Sequence, residues 1–249
     1  MQKSSLLKKA VVMMQLKCLA SGSKGNCYVL SDSENNMLLL DAGISIKDIK
    51  IGIDFKVSNL KGALITHDHQ DHAYAIDNLE RMGINVAAPF RRKPDKQSSF
   101  GSFFVSYFPL TDSYDHFTHT NGDGSECPIY GYLIQHDKEK IRMLYITDTA
   151  LIKWRFKDID TLLLGIDYSD EYLELETNEA KKKHIISGHL SLDVAKDFVK
   201  VTDRDKTLKN LIIGHLSQVN SNEEKFESKL RKATKCNIHF AQKGKVIQL

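Results

Sequence analysis

Cysteine is scarce in this chain, and its four copies, Cys18, Cys27, Cys127 and Cys236, form no CxxC pair. That spacing argues against a zinc ribbon and offers no disulfide framework. A reducing compartment, the cytoplasm, is the simpler expectation. No stretch approaches the apolar length needed to span a bilayer, so no membrane partner is expected. The basic Met1–Lys9 precedes an apolar run, Ala10–Met14, that is too short for a signal-peptide core. Only four prolines occur, and there is no Pro/Gly linker, internal repeat or low-complexity tract. One domain over residues 1–249 is therefore expected, with 1–14 as a loose N-terminal extension. A layered α/β domain of this size buries a substantial core without disulfides. Charge of neither sign dominates: 35 Lys and Arg face 32 Asp and Glu, a net +3. That balance permits a polyanionic substrate without demanding one.

What the chain does have is a concentration of ligands. His67-Asp68-His69-Gln70-Asp71-His72 carries three histidines and two aspartates in six consecutive residues. The apolar run Leu60–Ile65 precedes it, and residues 73–82 follow with apolar side chains at helical intervals, a strand–turn–helix pattern. Imidazole nitrogen with carboxylate oxygen and no nearby thiol suits zinc, manganese or iron; calcium would want oxygen alone. Crowding these ionisable groups into one turn without a cation would cost repulsion and desolvation for no visible gain.

The remaining elements alternate in a way that argues for sheets covered by helices. Strands are expected at Gln15–Ala20, Asn26–Leu30, Met37–Leu40, Ile84–Pro89, Phe103–Phe108, Ile129–Gln135, Ile141–Thr147, Thr161–Ile166, Leu208–Ile213, Asn237–Ala241 and Lys245–Gln248. Helices are expected near Ser45–Lys50, at Ser191–Val201 with Ser191 as N-cap, and at Glu223–Ala233. Several strands end on potential ligands: Asp41, Asp148 and His215, with His116 and His119 past the Phe103–Phe108 strand. Polar residues recurring at strand ends are what a site at the mouth of an α/β layer needs.

The motif Thr66-His-x-His-x-Asp-His72 and these strand ends, in this order, resemble the metallo-β-lactamase superfamily. Ala20-Ser-Gly-Ser-Lys-Gly-Asn-Cys-Tyr28, Gly188-His-Leu-Ser191 and Gly214-His-Leu-Ser217 are similar to its small WalJ-type (YycJ-type) subgroup of nucleases or phosphodiesterases. The resemblance implies an α/β fold, a four-layer αββα sandwich. It implies two divalent ions, zinc or manganese with iron also open. His67, His69 and a third histidine would hold one ion; Asp71, His72 and His215 would hold the other; Asp148 would bridge both. His119 fits the third histidine better than His116, which stays open as the alternative. Asp41 would orient a ligand histidine, or simply cap a turn with Gly43. The short chain between Asp148 and His215 leaves no room for an inserted RNA-binding domain.

The function that follows is a metal-dependent phosphodiesterase cleaving nucleic acid, with water activated between the ions and Asp71 and Asp148 in catalytic positions. A cyclic- or small-nucleotide phosphodiesterase and a glyoxalase-II-like thioesterase are the rivals. A purely structural site is disfavoured, because structural zinc closes with four ligands and seven candidates are present here. Ser21, Ser23 and Asn26 lie on a Gly-rich loop that could hold a phosphate oxygen, though a tight turn explains the glycines as well. Arg91-Arg-Lys93 with Lys96, and Lys181–Lys183, are basic clusters that suit either solvent or a polyanion. Trp154 is expected in the core. His189, left over once His215 completes the second ion's ligands, is expected to protonate the leaving group or merely to cap its turn. Its place before a helix N-terminus disfavours its cationic form unless phosphate is bound. Whether the chain forms a homodimer is left open.

Overall fold

The computed structural model describes residues 13–92, 97–110, 120–121, 124–216 and 222–249. His116, His119, Lys93 and Lys96 lie outside the described residues. Strands β1 (Gln15–Ala20), β2 (Cys27–Ser31), β3 (Met37–Leu40), β4 (Leu60–Leu64) and β5 (Val86–Ala87) form one sheet with β13 (Val246–Gln248), in the order β13-β1-β2-β3-β4-β5. The second sheet contains β6 (Gln97–Phe100), β7 (Phe103–Pro109), β8 (Tyr130–His136), β9 (Ile141–Ile146), β10 (Thr161–Gly165), β11 (Asn210–Gly214) and β12 (Asn237–Phe240), and its order runs from β12 back to β6. The helices are α1 (Ile46–Gly52), α2 (Gln70–Ala73), α3 (Ile76–Arg81), α4 (Asp170–Leu173), α5 (Glu179–Gly188), α6 (Leu192–Thr202) and α7 (Glu223–Leu230).

Strands that read as unbroken apolar runs are those buried on both faces. Successive side chains point to opposite faces, so each run feeds two layers. Leu38 and Leu40 of β3 meet Leu163 of β10 and Ile212 of β11 between the sheets. Leu39 turns outward onto Ile49 of α1 and Ile76 and Leu79 of α3. Leu162, Leu164, Leu211 and Ile213 turn outward onto Phe198 of α6 and Phe226 and Leu230 of α7. Each fully buried leucine contributes about 1.5–3 kcal/mol. The result is helix, sheet, sheet, helix, as the resemblance implies.

Parallel pairing sets up the site. β3, β4 and β5 pair in parallel, as do β9, β10, β11 and β12. Their carboxyl ends gather at one rim of each sheet, which is where α/β sheets present chemistry. Among the described residues, the stretch between Asp148 and His215 holds β10, β11 and α4 to α6, and no inserted domain.

Four local readings differ from the structure. The single helix expected at 73–82 is split: Asp71 O accepts from Asn26 N at 2.7 Å and Ala75 N donates to Ala42 O at 2.9 Å, so the helical ladder is diverted at that turn. Helices α4 and α5 were not expected, because α5 (EAKKKHIISG) has no apolar stripe and is started by its N-cap, Asn178, whose side chain accepts from Lys181 N. Strand β6 (QSSF) is a polar edge strand with one buried residue, Phe100. Trp154 is 44% exposed and not in the core; its Nε1 donates to Pro109 O and its ring lies against Phe108.

Candidate metal centre

Three strand ends leave the sheets through left-handed backbone. Asp41 after β3, Asp148 after β9 and His215 after β11 have φ of 54°, 49° and 53°. Such conformations are uncommon outside glycine and cost of order 1–3 kcal/mol unless the surroundings enforce them. All three belong to the site expected from the sequence. Between them stands the turn from β4 into α2, which carries His67, His69, Asp71 and His72.

The side chains converge. His72 Nε2 lies 3.1 Å from Asp148 Oδ2 and 3.3 Å from Asp71 Oδ2. His67 Nε2 is 3.7 Å from the same Asp148 oxygen. His215 Nε2 is 3.6 Å from Asp71 Oδ2, and its Nδ1 is 3.4 Å from Asp148 Oδ1. Ligand atoms of Asp71, His72, Asp148 and His215 all fall within 4.8 Å of one another. Two ligands that each sit about 2.1 Å from a tetrahedral ion are about 3.4 Å apart. Both ring nitrogens of His215 are buried without a hydrogen-bond partner. Buried nitrogens facing carboxylates at inter-ligand distances fit a divalent cation. His69 is half-buried, with its ring 4.9 Å from that of His67.

The electrostatics agree. Burial works against the charge on Asp148, yet His215 and His72 hold its carboxyl well below the usual carboxylate range. Burial likewise opposes charge on His215, but Asp148 above all, then Asp167 and Asp71, push it up to about 10. His72 is raised well above its ordinary value because Asp148 and Asp41 outweigh its desolvation. The pocket is thus built for positive charge, which protons or metal ions can supply in competition.

A second group adjoins the first. Asp167, after β10, His189 and His215 have ligand atoms within 4.8 Å of one another. Asp167 Oδ1 is 3.6 Å from His215 Nδ1, and the His189 ring stacks on that of His215 at 5.4 Å. Asp167 was missed at the sequence level. The rule that picked out Asp41, Asp148 and His215 also points to it, since it follows the apolar Thr161–Ile166 run. His189 is the C-cap of the ten-residue α5, with its N–H donating to Ile185 O. His189 therefore lies between the carboxyl end of α5 and the amino end of α6, whose N-cap Ser191 is two residues on.

A metallo-beta-lactamase superfamily model matches residues 20–96, and solved structures extend the likeness over nearly the whole chain. YhfI from Bacillus subtilis, itself described as a metallo-beta-lactamase fold protein, superposes with a TM-score of 0.67 at 13% identity, over 95% of this chain and 99% of that one. The chain is a metallo-β-lactamase-fold protein. Unliganded yeast PDE1 gives 0.62 at 11% identity over 96% and 100% of the two chains. Human tRNase Z, short form, gives 0.56 at 16% identity over 94% and 99%. Among curated proteins, exodeoxyribonuclease WalJ of Streptococcus pneumoniae is 44% identical over 66 residues. That match spans about a quarter of each, 25% of this chain and 24% of the relative.

Within this metallo-β-lactamase fold the Gly-rich loop acts mainly as scaffold. Ser21 Oγ accepts from His215 N at 2.9 Å and bonds the Tyr28 hydroxyl at 2.9 Å. Asn26 accepts from Gly43 N and donates its own N–H to Asp71 O, and its Nδ2 is 3.0 Å from His72 Nε2. Ser21 and Asn26 thus hold ligand-bearing turns in place, whereas Ser23 is exposed on the loop. Arg91 is engaged by acids: Nη1 donates to Asp77 at 2.7 Å and Nε is 3.8 Å from Asp68. Only the longer of these two exposed contacts reaches the histidine turn, through Asp68. Lys181 is paired with Glu176 at 2.5 Å. No helix among the described residues is long and apolar enough to cross a membrane.

Proposed function

We propose that this protein is a metal-dependent phosphodiesterase that cleaves nucleic acid, with DNA as its substrate class, at a centre holding two divalent ions. The observation that carries this is the convergence of buried His67, His72 and His215 on the two oxygens of Asp148, with the partly buried Asp71 beside His72 and His215. In this arrangement Asp71, His72 and His215 would hold one ion, His67 and His69 would contribute to the other, and Asp148 would serve both. His119 or His116 would complete the set of His67 and His69. When bound, the ions act as Lewis acids and bring a water towards ionisation near neutral pH. The chain's own residues do the rest. Asp148 and Asp71 supply the negative charge that keeps the ions in place, and the rim of strand ends keeps the ligands rigid. Asp167 faces His215 on one side, and His189, stacked beside it, is placed to hold a proton for the departing oxygen.

The choice of a phosphodiester draws on the local likeness to an exodeoxyribonuclease. The test is the purified chain with manganese or zinc against labelled single- and double-stranded DNA, RNA, a cyclic nucleotide and a thioester. Cleavage of DNA that weakens steeply with salt is expected, because a polyanion releases counterions on binding. Turnover of the thioester or the cyclic nucleotide alone would overturn the nucleic-acid assignment.

A further inference from the structure

One buried carboxylate reaches imidazoles assigned to both metal ions. Asp41 is fully buried. Its Oδ2 accepts from His72 Nδ1 at 2.6 Å and from the Tyr145 hydroxyl at 2.5 Å. Its Oδ1 accepts from Thr66 N at 2.8 Å, and the Thr66 hydroxyl lies 3.1 Å from each Asp41 oxygen. The same hydroxyl is 3.0 Å from His67 Nδ1.

Counting protons decides the direction of each bond. An ionised carboxylate only accepts, and a hydroxyl has one proton to give. Thr66 therefore donates to Asp41, and its remaining lone pair accepts from His67. That requires the proton of His67 on Nδ1, which leaves Nε2 with a lone pair directed at the centre. His72 meets the same requirement directly, since its Nδ1 donates to Asp41 and its Nε2 faces Asp71 and Asp148. Tyr145, on β9, joins the second sheet to this carboxylate, so the unit spans both halves of the sandwich.

We infer that Thr66 is a positioning residue which, with Asp41 and Tyr145, fixes the tautomers of His67 and His72 together, so that a single carboxylate tunes metal affinity at both ions. Asp41 acts directly on one half and through the Thr66 hydroxyl on the other. Outer partners of metal-bound histidines typically change affinity by about 10–100-fold. The inference rests on the two-metal centre proposed above.

The experiment uses the full chain reconstituted with zinc. Proton–nitrogen correlation spectra of the histidine rings report the tautomers, and competition with a chromophoric chelator reports both affinities. In the unsubstituted chain, His67 and His72 are expected as Nδ1–H tautomers. Thr66→Val should weaken one ion by about 10–100-fold, leave the other bound, and mix the His67 tautomers while His72 stays Nδ1–H. Thr66→Ser should restore all three readouts. A His67 that carries its proton on Nε2 in the unsubstituted chain overturns the inference, whether or not any variant folds. So does a folded Thr66→Val chain with two ions at unchanged affinity. A chain that binds no metal at all defeats the two-metal centre itself, and the inference with it.

Discussion

Gly43 makes the closest backbone approach in the site, and replacing it with alanine is expected to pull the metal centre apart. A Cβ at this position would lie 1.7 Å from Asp71 O, 2.1 Å from the Asp71 carbonyl carbon and 2.8 Å from His72 N. An ordinary carbon–oxygen contact needs about 3.3 Å, so the two segments must separate by about 1.5 Å. No rotamer can relieve the overlap, because every atom met is backbone. The turn is also fastened from behind: Ala42 N donates to His72 O at 2.8 Å and Gly43 N to Asn26 O at 2.9 Å. Overpacking costs about 1–3 kcal/mol, and one broken hydrogen bond adds about 1 kcal/mol. A loss of about 2–4 kcal/mol corresponds to a melting temperature lowered by about 4–16 °C for a chain of this size. Displacing Asp71 and His72 by more than 1 Å should also cut turnover by about 10²-fold or more. Thermal melts of the metal-free chain and a zinc titration of the same samples read both effects. An unchanged melting temperature with two ions still bound would show that this approach does not hold the ligand turn.

Three further outcomes follow from the geometry. His189→Ala should slow a phosphodiester with a poor alkoxide leaving group by about 10²–10⁴-fold and spare a p-nitrophenyl ester, with metal content unchanged; equal loss on both substrates would assign His189 another role. Asp148→Ala should abolish turnover more completely than any single histidine substitution, whereas Asp148→Asn should retain metal but lose activity; near-native turnover of the alanine variant would remove Asp148 from the centre. At the opposite end of the sandwich, burial opposes the charge of Asp32, but hydrogen bonds from Ser102, Asn36 and His136 hold its carboxyl below the ordinary value. The unfolded chain then takes up that proton first, so this contribution is complete above about pH 4 and fades as pH falls through the folded value. Asp32→Asn should flatten the acid limb of melting temperature against pH; parallel limbs for the two proteins would exclude Asp32 as its source.

The parts of this site that could be read from sequence share one property, which is that a strong local pattern states them. The histidine turn does so by composition, and the inner strands do so because burial on both faces leaves them apolar throughout. Asp41, Asp148 and His215 stood out because a polar residue ends such a run. What stayed hidden depends on contacts between distant segments. Tyr145 and Tyr132 look like ordinary strand aromatics, yet one donates to Asp41 and the hydroxyl of the other lies 2.7 Å from Ile65 O and 2.9 Å from Ala87 O beneath the histidine turn. Helix α5 has no apolar face to betray it, although it carries His189 as its C-cap. The break after α2 likewise comes from Asn26 and Ala42, over thirty residues away, claiming the groups that a longer helix would use.

Anomalous diffraction from crystals of the chain grown with manganese or zinc tests the central claim most directly. Two peaks are expected on either side of Asp148, one in contact with Asp71, His72 and His215 and the other with His67 and His69. A single peak that does not touch Asp148, or no peak at these side chains, would contradict a two-metal centre in this fold.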